Sequence, residues 1–408
     1  METLRTAFAD RPRPLLSYGV TFEKALQKHI SDLFHASRIY IICSGSLARN
    51  TDVLDRLNHA IGKDRIVGTR VGMKSHTYWS EILEIVNEAR SANVDLILTV
   101  GAGSLTDGAK VAALSLSNNI HTSSDLSTLP TGPNQRQEIH PPKIPIISIP
   151  TTLSAGEYSH FAGGTNDTTH QKHSFQAPTK GPELVILDPA LTTTTPDSIW
   201  LSTGVRAVDH CVETFAAVKG NSEKKDRLAL HALGLLVPGL LRCKAERGDT
   251  EARLQCQLGS VDAMAACSGG DAVELGASHG IGHQLGPVGV GHGETSCVLL
   301  PAVCKFNARY GANVERQERL KEFLLGMREV EEVLGRRGLD REQVDLGDVM
   351  DAVIRELGMP RSLREVGLGR ELLDELAEKS LHDRWCKSNP VPLTEKSQVL
   401  EILETVLE

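Results

Sequence analysis

Several things are missing from these 408 residues, and each absence removes a class of protein. Positive charge is short: 44 Lys and Arg stand against 52 Asp and Glu, a formal net charge of −8, whereas a nucleic-acid surface wants a basic balance. No run of about 18 apolar residues occurs, so no membrane-spanning helix is expected. No CxxC pair suggests structural zinc. The eight cysteines (Cys43, Cys211, Cys243, Cys256, Cys267, Cys297, Cys304, Cys386) are scattered, and free cysteine in apolar surroundings behaves as a small hydrophobe. A reducing cytoplasm is therefore expected. There is no internal repeat. Residues 1–15 carry Arg5, Arg11, Arg13, Pro12 and Pro14 but no apolar core, so they do not read as a secretory signal.

What is present is ordinary in bulk and specific in detail. Forty per cent apolar and 24% charged residues fit a globular protein, and the length allows two domains with full cores. The first half alternates strand-like and helix-like patterns. Residues 38–43 and 95–100 read as buried strands, and 80–92 as a helix with Ile82, Ile85, Val86 and Ala89 on one face. Such alternation implies a mainly parallel sheet covered by helices. Residues 121–143, rich in Ser, Thr, Pro and Asn, read as a surface loop, either a lid or an inert insertion. From Ser198 onward helical patterns dominate, including 226–243, with a kink or break expected at Pro238, and 251–267. The expectation is an α/β dinucleotide-binding domain over 1–195 and an all-helical domain over 196–408, with the active site in the cleft between them.

The most informative stretch is Gly101-Ala102-Gly103-Ser104-Leu105-Thr106-Asp107-Gly108-Ala109-Lys110, placed between a strand and a helix expected over 109–116. Glycines at such a turn let the backbone approach a ligand, and the helix N-terminus offers unpaired N–H groups and a positive dipole end. That suits a pyrophosphate. An ordinary turn with Ser104 capping the helix is the plainer alternative. A second apolar strand, 144–150, runs into Thr151-Thr152-Leu153-Ser154. Then follow Asp188-Pro189-Ala190-Leu191-Thr192, Gly204-Val205-Arg206-Ala207-Val208-Asp209-His210-Cys211-Val212-Glu213, His279-Gly280-Ile281-Gly282-His283-Gln284-Leu285-Gly286 and Gly291-His292-Gly293-Glu294.

In this order and spacing the set resembles the iron-containing (group III) alcohol dehydrogenase family, over roughly residues 15 to 400 and including a late Asn389-Pro390-Val391-Pro392. The resemblance implies a dehydroquinate synthase-like fold, a homodimer and a nicotinamide cofactor. Gly101, Gly103, Ser104 and Asp107 would line the pyrophosphate and neighbouring ribose, with Thr151, Thr152 and Ser154 along the adenine and nicotinamide side. Ala102 replaces the family's usual third glycine. Where NAD-selective relatives carry an aspartate after the first strand, this chain has Ser44, with Arg49 nearby. Losing a carboxylate removes repulsion against a 2′-phosphate, and an arginine supplies charge-assisted hydrogen bonds. NADP(H) is favoured, with NAD(H) tolerated.

Family members hold a divalent metal through one aspartate and three histidines. The histidines match as His210, His279 and His292, but the aspartate position, one turn before His210, is Arg206. A guanidinium stays protonated. At about 4 Å and an effective dielectric near 20 it would repel a divalent cation by roughly 8 kcal/mol. Asp209 is the alternative ligand, although pairing with Arg206 at i,i+3 is its plainer use. An Arg-Ala pair ahead of the histidine resembles maleylacetate reductases, a branch that works without metal. From this resemblance, Arg206 with a protonated histidine would stabilise developing oxyanion charge. His283, matching the histidine beside the nicotinamide, would supply the proton. Hydrogen-bonded core histidines are the plain alternative. The resulting expectation is a metal-independent, NAD(P)H-dependent reductase of a small, anionic oxo-acid, carbonyl or enone. A metal-dependent (Fe/Zn) alcohol dehydrogenase, and a non-redox lyase or isomerase reusing the cleft, are the alternatives.

Overall fold

Strands β1 (Thr3–Thr6), β2 (Leu15–Tyr18), β3 (Ile39–Cys43), β4 (Ile66–Val71), β5 (Leu96–Gly101), β6 (Ile146–Pro150) and β9 (Leu184–Leu187) form one sheet in the order β1-β2-β9-β6-β5-β3-β4. Strands β7 (Ala162–Thr165) and β8 (Lys172–Phe175) make a separate antiparallel hairpin. This computed structural model describes residues 1–268 and 272–408. Its two units are Met1–Thr194 and Thr195–Glu408. In the sheet only β1 runs antiparallel to its neighbour.

Strands β3, β5, β6 and β9 are buried along their whole length, which explains their unbroken apolar runs: helices cover both faces. Ile42, Ile97 and Ile146 pack with the helices Trp79–Ser91 and Gly103–Ser117 on one face. Their neighbours Ile41, Leu96, Leu98 and Ile147 pack with Phe22–Asp32 and Val53–Ile61 on the other. The chain leaves β3 towards β4 on one side and returns through β5 on the other. In such sheets the crevice outside the strand C-termini at this reversal is where ligands bind.

The second unit is helical throughout its described residues. The helices Asp197–Ala216, Glu223–Ala245, Thr250–Ser268, Ala277–Leu285 and His292–Arg309 come first, and Lys396–Thr405 is the last. By length and composition Glu223–Ala245 is apolar enough to cross a membrane, which counting apolar runs did not indicate. Part of its apolar face is buried inside the unit. Leu233, Leu236 and Leu240 are buried, and Gly239 approaches Cys256 so closely that a Cβ would lie 2.7 Å from the sulfur.

Two expectations are corrected. Of the kink or break expected at Pro238, the break is absent, because the helix continues past it. Residues 121–143 are not a bare loop. Thr122 and Asp125 form a capping box on the helical turn Ser123–Leu126, and Leu126 and Leu129 are buried in the core beside Ile146.

Candidate active site

The predicted cofactor residues of the first unit gather at the sheet reversal. Gly101 ends β5 with φ +149°, and a Cβ there would lie 2.9 Å from the Ser44 Cβ and 3.1 Å from Leu105, so only glycine fits. Ser44 follows β3 and donates its N–H to the Val100 carbonyl (2.9 Å). Thr151 donates its N–H to the Gly101 carbonyl (3.0 Å). Thr152 and Ser154 share a hydroxyl hydrogen bond (3.1 Å), and a Cβ at Gly103 would lie 3.4 Å from Ser154. The helix Gly103–Ser117 begins at Gly103, earlier than the residue pattern indicated. Its N-cap Ala102 has no polar side chain to satisfy the first-turn N–H groups; Leu105 N–H donates to the Ala102 carbonyl (3.1 Å), which leaves those of Gly103 and Ser104 for an anion.

Asp107 is also engaged within the protein. One carboxylate oxygen accepts from Lys110 Nζ (3.2 Å) and the other from the Gly163 N–H (3.1 Å). Lys110 is itself fully buried and also donates to the Gly156 and Phe161 carbonyls (2.7 Å each). Asp107 therefore ties the glycine-loop helix to β7, a role in shaping the loop. Ser104 presents its carbonyl to the Thr77 hydroxyl (3.2 Å).

In the second unit the helix Asp197–Ala216 carries Arg206, Asp209 and Glu213, which share one face because they recur at i, i+3 and i+7. They are 4%, 0% and 6% exposed, so this face is charged yet turned inward. Gly293 of the helix His292–Arg309 lets the two helices touch: a Cβ there would lie 2.6 Å from the Ser202 carbonyl. That contact brings Ser296 between two charges. Arg206 Nη1 donates to Ser296 Oγ (3.1 Å), and Ser296 Oγ donates to Asp209 Oδ2 (2.5 Å). Ser278 Oγ donates to the same oxygen (2.8 Å), and Arg206 Nη1 lies 3.8 Å from it. Glu213 accepts from the N–H groups of Gly276 and Ser278 (2.8 Å each) and from His279 Nδ1 (2.7 Å). The His210 and His279 rings lie 4.7 Å apart.

This cluster is heavily desolvated. Burial pushes Asp209 and Glu213 above the carboxylate range, each to about 7; repulsion from Glu213 adds to it at Asp209, and Arg206 and the hydrogen-bond donors oppose it. Burial pushes His210 and His279 well below the usual histidine range. Both are therefore neutral imidazoles near pH 7, so neither is the protonated histidine expected beside Arg206. The two shifts act oppositely on stability. Raised carboxylates bind protons that the unfolded chain releases between about pH 4 and 7, so their contribution falls as pH rises there; the lowered histidines contribute increasingly up to about pH 6.5. Glu213→Gln removes one falling contribution. Thermal unfolding from about pH 5 to 7.5 should then show the variant gaining stability with pH more steeply than the native protein. Parallel curves would mean that Glu213 does not titrate in this window.

The structure allows the metal question to be put to particular atoms. Asp209, Glu213 and His279 bring one ligand atom each within 4.8 Å of one another, a set different from the expected His210, His279 and His292. Several of these atoms are already engaged within the protein. Glu213 already accepts two backbone N–H groups and His279 Nδ1–H, and Asp209 Oδ2 takes two hydroxyl protons. The Arg206 guanidinium lies 3.8 Å from Asp209 Oδ2, and its positive charge would oppose a cation there.

Among the buried side-chain polar atoms without a protein partner in the described residues, four belong to this cluster: Arg206 Nε, Asp209 Oδ1, His210 Nδ1 and His279 Nε2. Burying them unsatisfied is costly, and such a concentration marks a place built for something other than folding. Of the predicted catalytic residues, Arg206, His210 and His279 come together here. His283 stands one turn beyond His279 on the same helix, and its side chain is 38% exposed. His292 opens the helix His292–Arg309 and is exposed, outside the group of converging ligand atoms. Ser278, Ser296 and Glu213 were not singled out from the sequence as site residues. Glu213 closes the motif that begins at Gly204, and its spacing from Arg206 was the available signal.

Comparison with known proteins agrees with this architecture. Residues 18–189 match the iron-containing alcohol dehydrogenase family, and residues 200–407 match the C-terminal domain of the Fe-containing alcohol dehydrogenase family. The chain belongs to the iron-containing alcohol dehydrogenase family and is an oxidoreductase. Dehydrogenase FUM7 of Gibberella moniliformis is 38% identical over 96% of this chain and 95% of its own length. Dehydrogenase ALT3 of Alternaria alternata is 39% identical over 91% of this chain and 99% of its own. Among solved structures, maleylacetate reductase from Rhizobium sp. strain MTP-10005 matches with a TM-score of 0.75 and 23% identity, covering 100% of this chain and 99% of that one. Sulfoacetaldehyde reductase from Bifidobacterium kashiwanohense, solved in complex with NAD+, matches with a TM-score of 0.80 and 20% identity over 99% of both chains.

Proposed function

We propose that this oxidoreductase is a metal-independent reductase that uses NADPH in preference to NADH and acts on a small anionic oxo-acid, carbonyl or enone. The observation that carries the reading is Arg206, a buried guanidinium with one N–H unpartnered, in place of a ligand carboxylate. Hydride passes from the reduced nicotinamide, held by Gly101, Gly103, Ser104, Thr151, Thr152 and Ser154, to the electrophilic carbon. Arg206 attracts the substrate's anionic group or its developing oxyanion, because guanidinium and carboxylate pair through charge-assisted hydrogen bonds. His283 returns the proton. The alternative, a metal-dependent alcohol dehydrogenase, draws on the proximity of Asp209, Glu213 and His279.

The preference for NADPH rests on Ser44 and Arg49. Ser44 Oγ meets Ser46 Oγ (3.0 Å), and Arg49 bends back so that its Nη1 would lie 3.0 Å from a Cβ at Gly45. Hydroxyls and a guanidinium next to one another favour a phosphate over a bare ribose. Ser44→Asp should weaken NADPH by about tenfold or more while leaving NADH nearly unchanged, since like charges disfavour only the phosphorylated cofactor. Nicotinamide fluorescence titration reads both affinities, and NADPH oxidation with a panel of small oxo-acids tests the reaction. Equal losses for both cofactors would remove Ser44 from the ribose, and a panel reduced only after metal addition would favour the alternative.

A further inference from the structure

The proton donor of the proposed reaction needs a fixed ring, and the fold supplies one through a residue a hundred positions away. His283 Nδ1–H donates to Asp383 Oδ2 (2.9 Å) across a separation of 100 residues. The other oxygen of the same carboxylate, Oδ1, accepts the Trp385 N–H (2.9 Å) and caps the helix Arg384–Ser388. The carboxylate is thus pinned at one end before it meets the imidazole at the other. Its side chain is 14% exposed, against 38% for His283.

The segment bearing Asp383 is itself nailed to the histidine helix Ala277–Leu285. Gly280 lies so close to Cys386 that a Cβ would stand 2.6 Å from its sulfur and 2.8 Å from its backbone nitrogen. Any larger residue at 280 would push the two helices apart. Asn389, 1% exposed, accepts the Ala277 N–H (3.1 Å) and donates to Asn307 Oδ1 (2.7 Å). Ser388 Oγ donates to the Leu275 carbonyl (2.6 Å). The Asn389-Pro390 motif therefore has a purpose in this chain: it holds the Arg384–Ser388 turn where Asp383 reaches His283.

We propose that Asp383 is the positioning residue for His283, holding the ring with Nδ1–H towards the carboxylate so that Nε2 faces the substrate oxygen. This inference rests on the reading of His283 as proton donor. In the step it serves, the hydride leaves the reduced nicotinamide for the carbonyl carbon, and the C=O π pair moves to oxygen. That oxygen takes the Nε2 proton of the imidazolium. The products are the alcohol, the oxidised nicotinamide and a neutral histidine in the Nδ1–H tautomer, which only an acceptor at Asp383 selects. Fixing the tautomer of a reacting histidine through a carboxylate is a general device.

The test exploits the two jobs of Asp383. Asparagine is as good an N-cap as aspartate, so Asp383→Asn keeps the cap and removes the anionic acceptor, whereas Asp383→Ala removes both. With NADPH and a reducible oxo-acid, Asp383→Asn should lower kcat by about 10- to 100-fold with KM for NADPH unchanged. His283→Ala combined with Asp383→Asn should be no slower than His283→Ala alone, as expected of two residues acting through one group. In ¹⁵N-histidine-labelled protein, the His283 Nδ1 resonance should move in Asp383→Asn, a readout that needs no turnover and so stands even if the assigned reaction fails. If Asp383→Asn retains full kcat and only Asp383→Ala loses thermal stability, Asp383 is a cap and the proposal is overturned. An unmoved His283 resonance overturns it equally.

Discussion

Replacing Gly103 with aspartate is expected to abolish NADPH binding while leaving the fold intact. Gly103 is the first residue of the helix Gly103–Ser117, with a helical backbone that any residue can adopt, and its nearest neighbour for a Cβ is Ser154 at 3.4 Å. The side chain therefore fits, and an acidic residue even suits the first turn of a helix. What it cannot tolerate is a pyrophosphate. A carboxylate about 4 Å from each phosphate charge, at an effective dielectric near 20, costs about 4 kcal/mol per pair, or roughly a thousandfold in affinity. Unfolding temperature should be held or slightly raised, and titration of nicotinamide fluorescence should show no saturation. Gly101→Ala makes the contrasting control: with φ +149° and a Cβ 2.9 Å from Ser44, it should lose stability and cofactor together. If Gly103→Asp binds NADPH with native affinity, the cofactor does not lie on this loop.

The second large effect concerns Arg206. It is the cation that faces Asp209 and Glu213 in a site closed to water, so Arg206→Ala should do two separable things. Leaving a buried carboxylate without its counter-charge costs about 3–5 kcal/mol, read as a lower unfolding temperature. Removing a preorganised positive donor should lower kcat by about 100-fold or more. Arg206→Lys keeps the charge without the planar fork and should recover most of the stability but less of the rate. Arg206→Asp adds a third carboxylate to the cluster and should be unstable until Zn²⁺ is added, when a ligand that binds only the folded state raises its unfolding temperature. Elemental analysis of the native protein should find well under one equivalent of iron or zinc, and chelators should leave activity unchanged. Stoichiometric metal, with activity lost on chelation, would sink the metal-free mechanism.

How much of this was legible without coordinates follows from where the signal lies along the chain. The buried strands read clearly, since a strand covered on both faces must be apolar throughout. The glycine loop was placed correctly, but its helix starts at Gly103 rather than Ala109. Glycine's poor helix propensity hides a first turn that packs beside Ser154. Pro238 was read as a kink or a break because local rules penalise it, yet the burial of Leu233, Leu236, Val237 and Leu240 around it keeps the element unbroken. Arg206 was legible as a departure from a motif. Its consequence was not, because Ser296 and Ser278 come from other helices and carry no spacing relation to it. Asp383 was invisible for the same reason: a hundred residues of chain separate it from His283.

The backbone bonds to Glu213 carry a consequence of their own. By accepting the N–H groups of Gly276 and Ser278, this carboxylate of one helix secures the start of another, the helix that bears both His279 and His283. Burial works against the ionised form of this anchor, and the guanidinium nearby works for it. Position 206 is therefore not free to drift alone. A lineage that exchanged arginine for a neutral residue would loosen the footing of its own histidines before any substrate arrived. A compensating change at 209 or 213, or a new cation in the same spot, would have to come first.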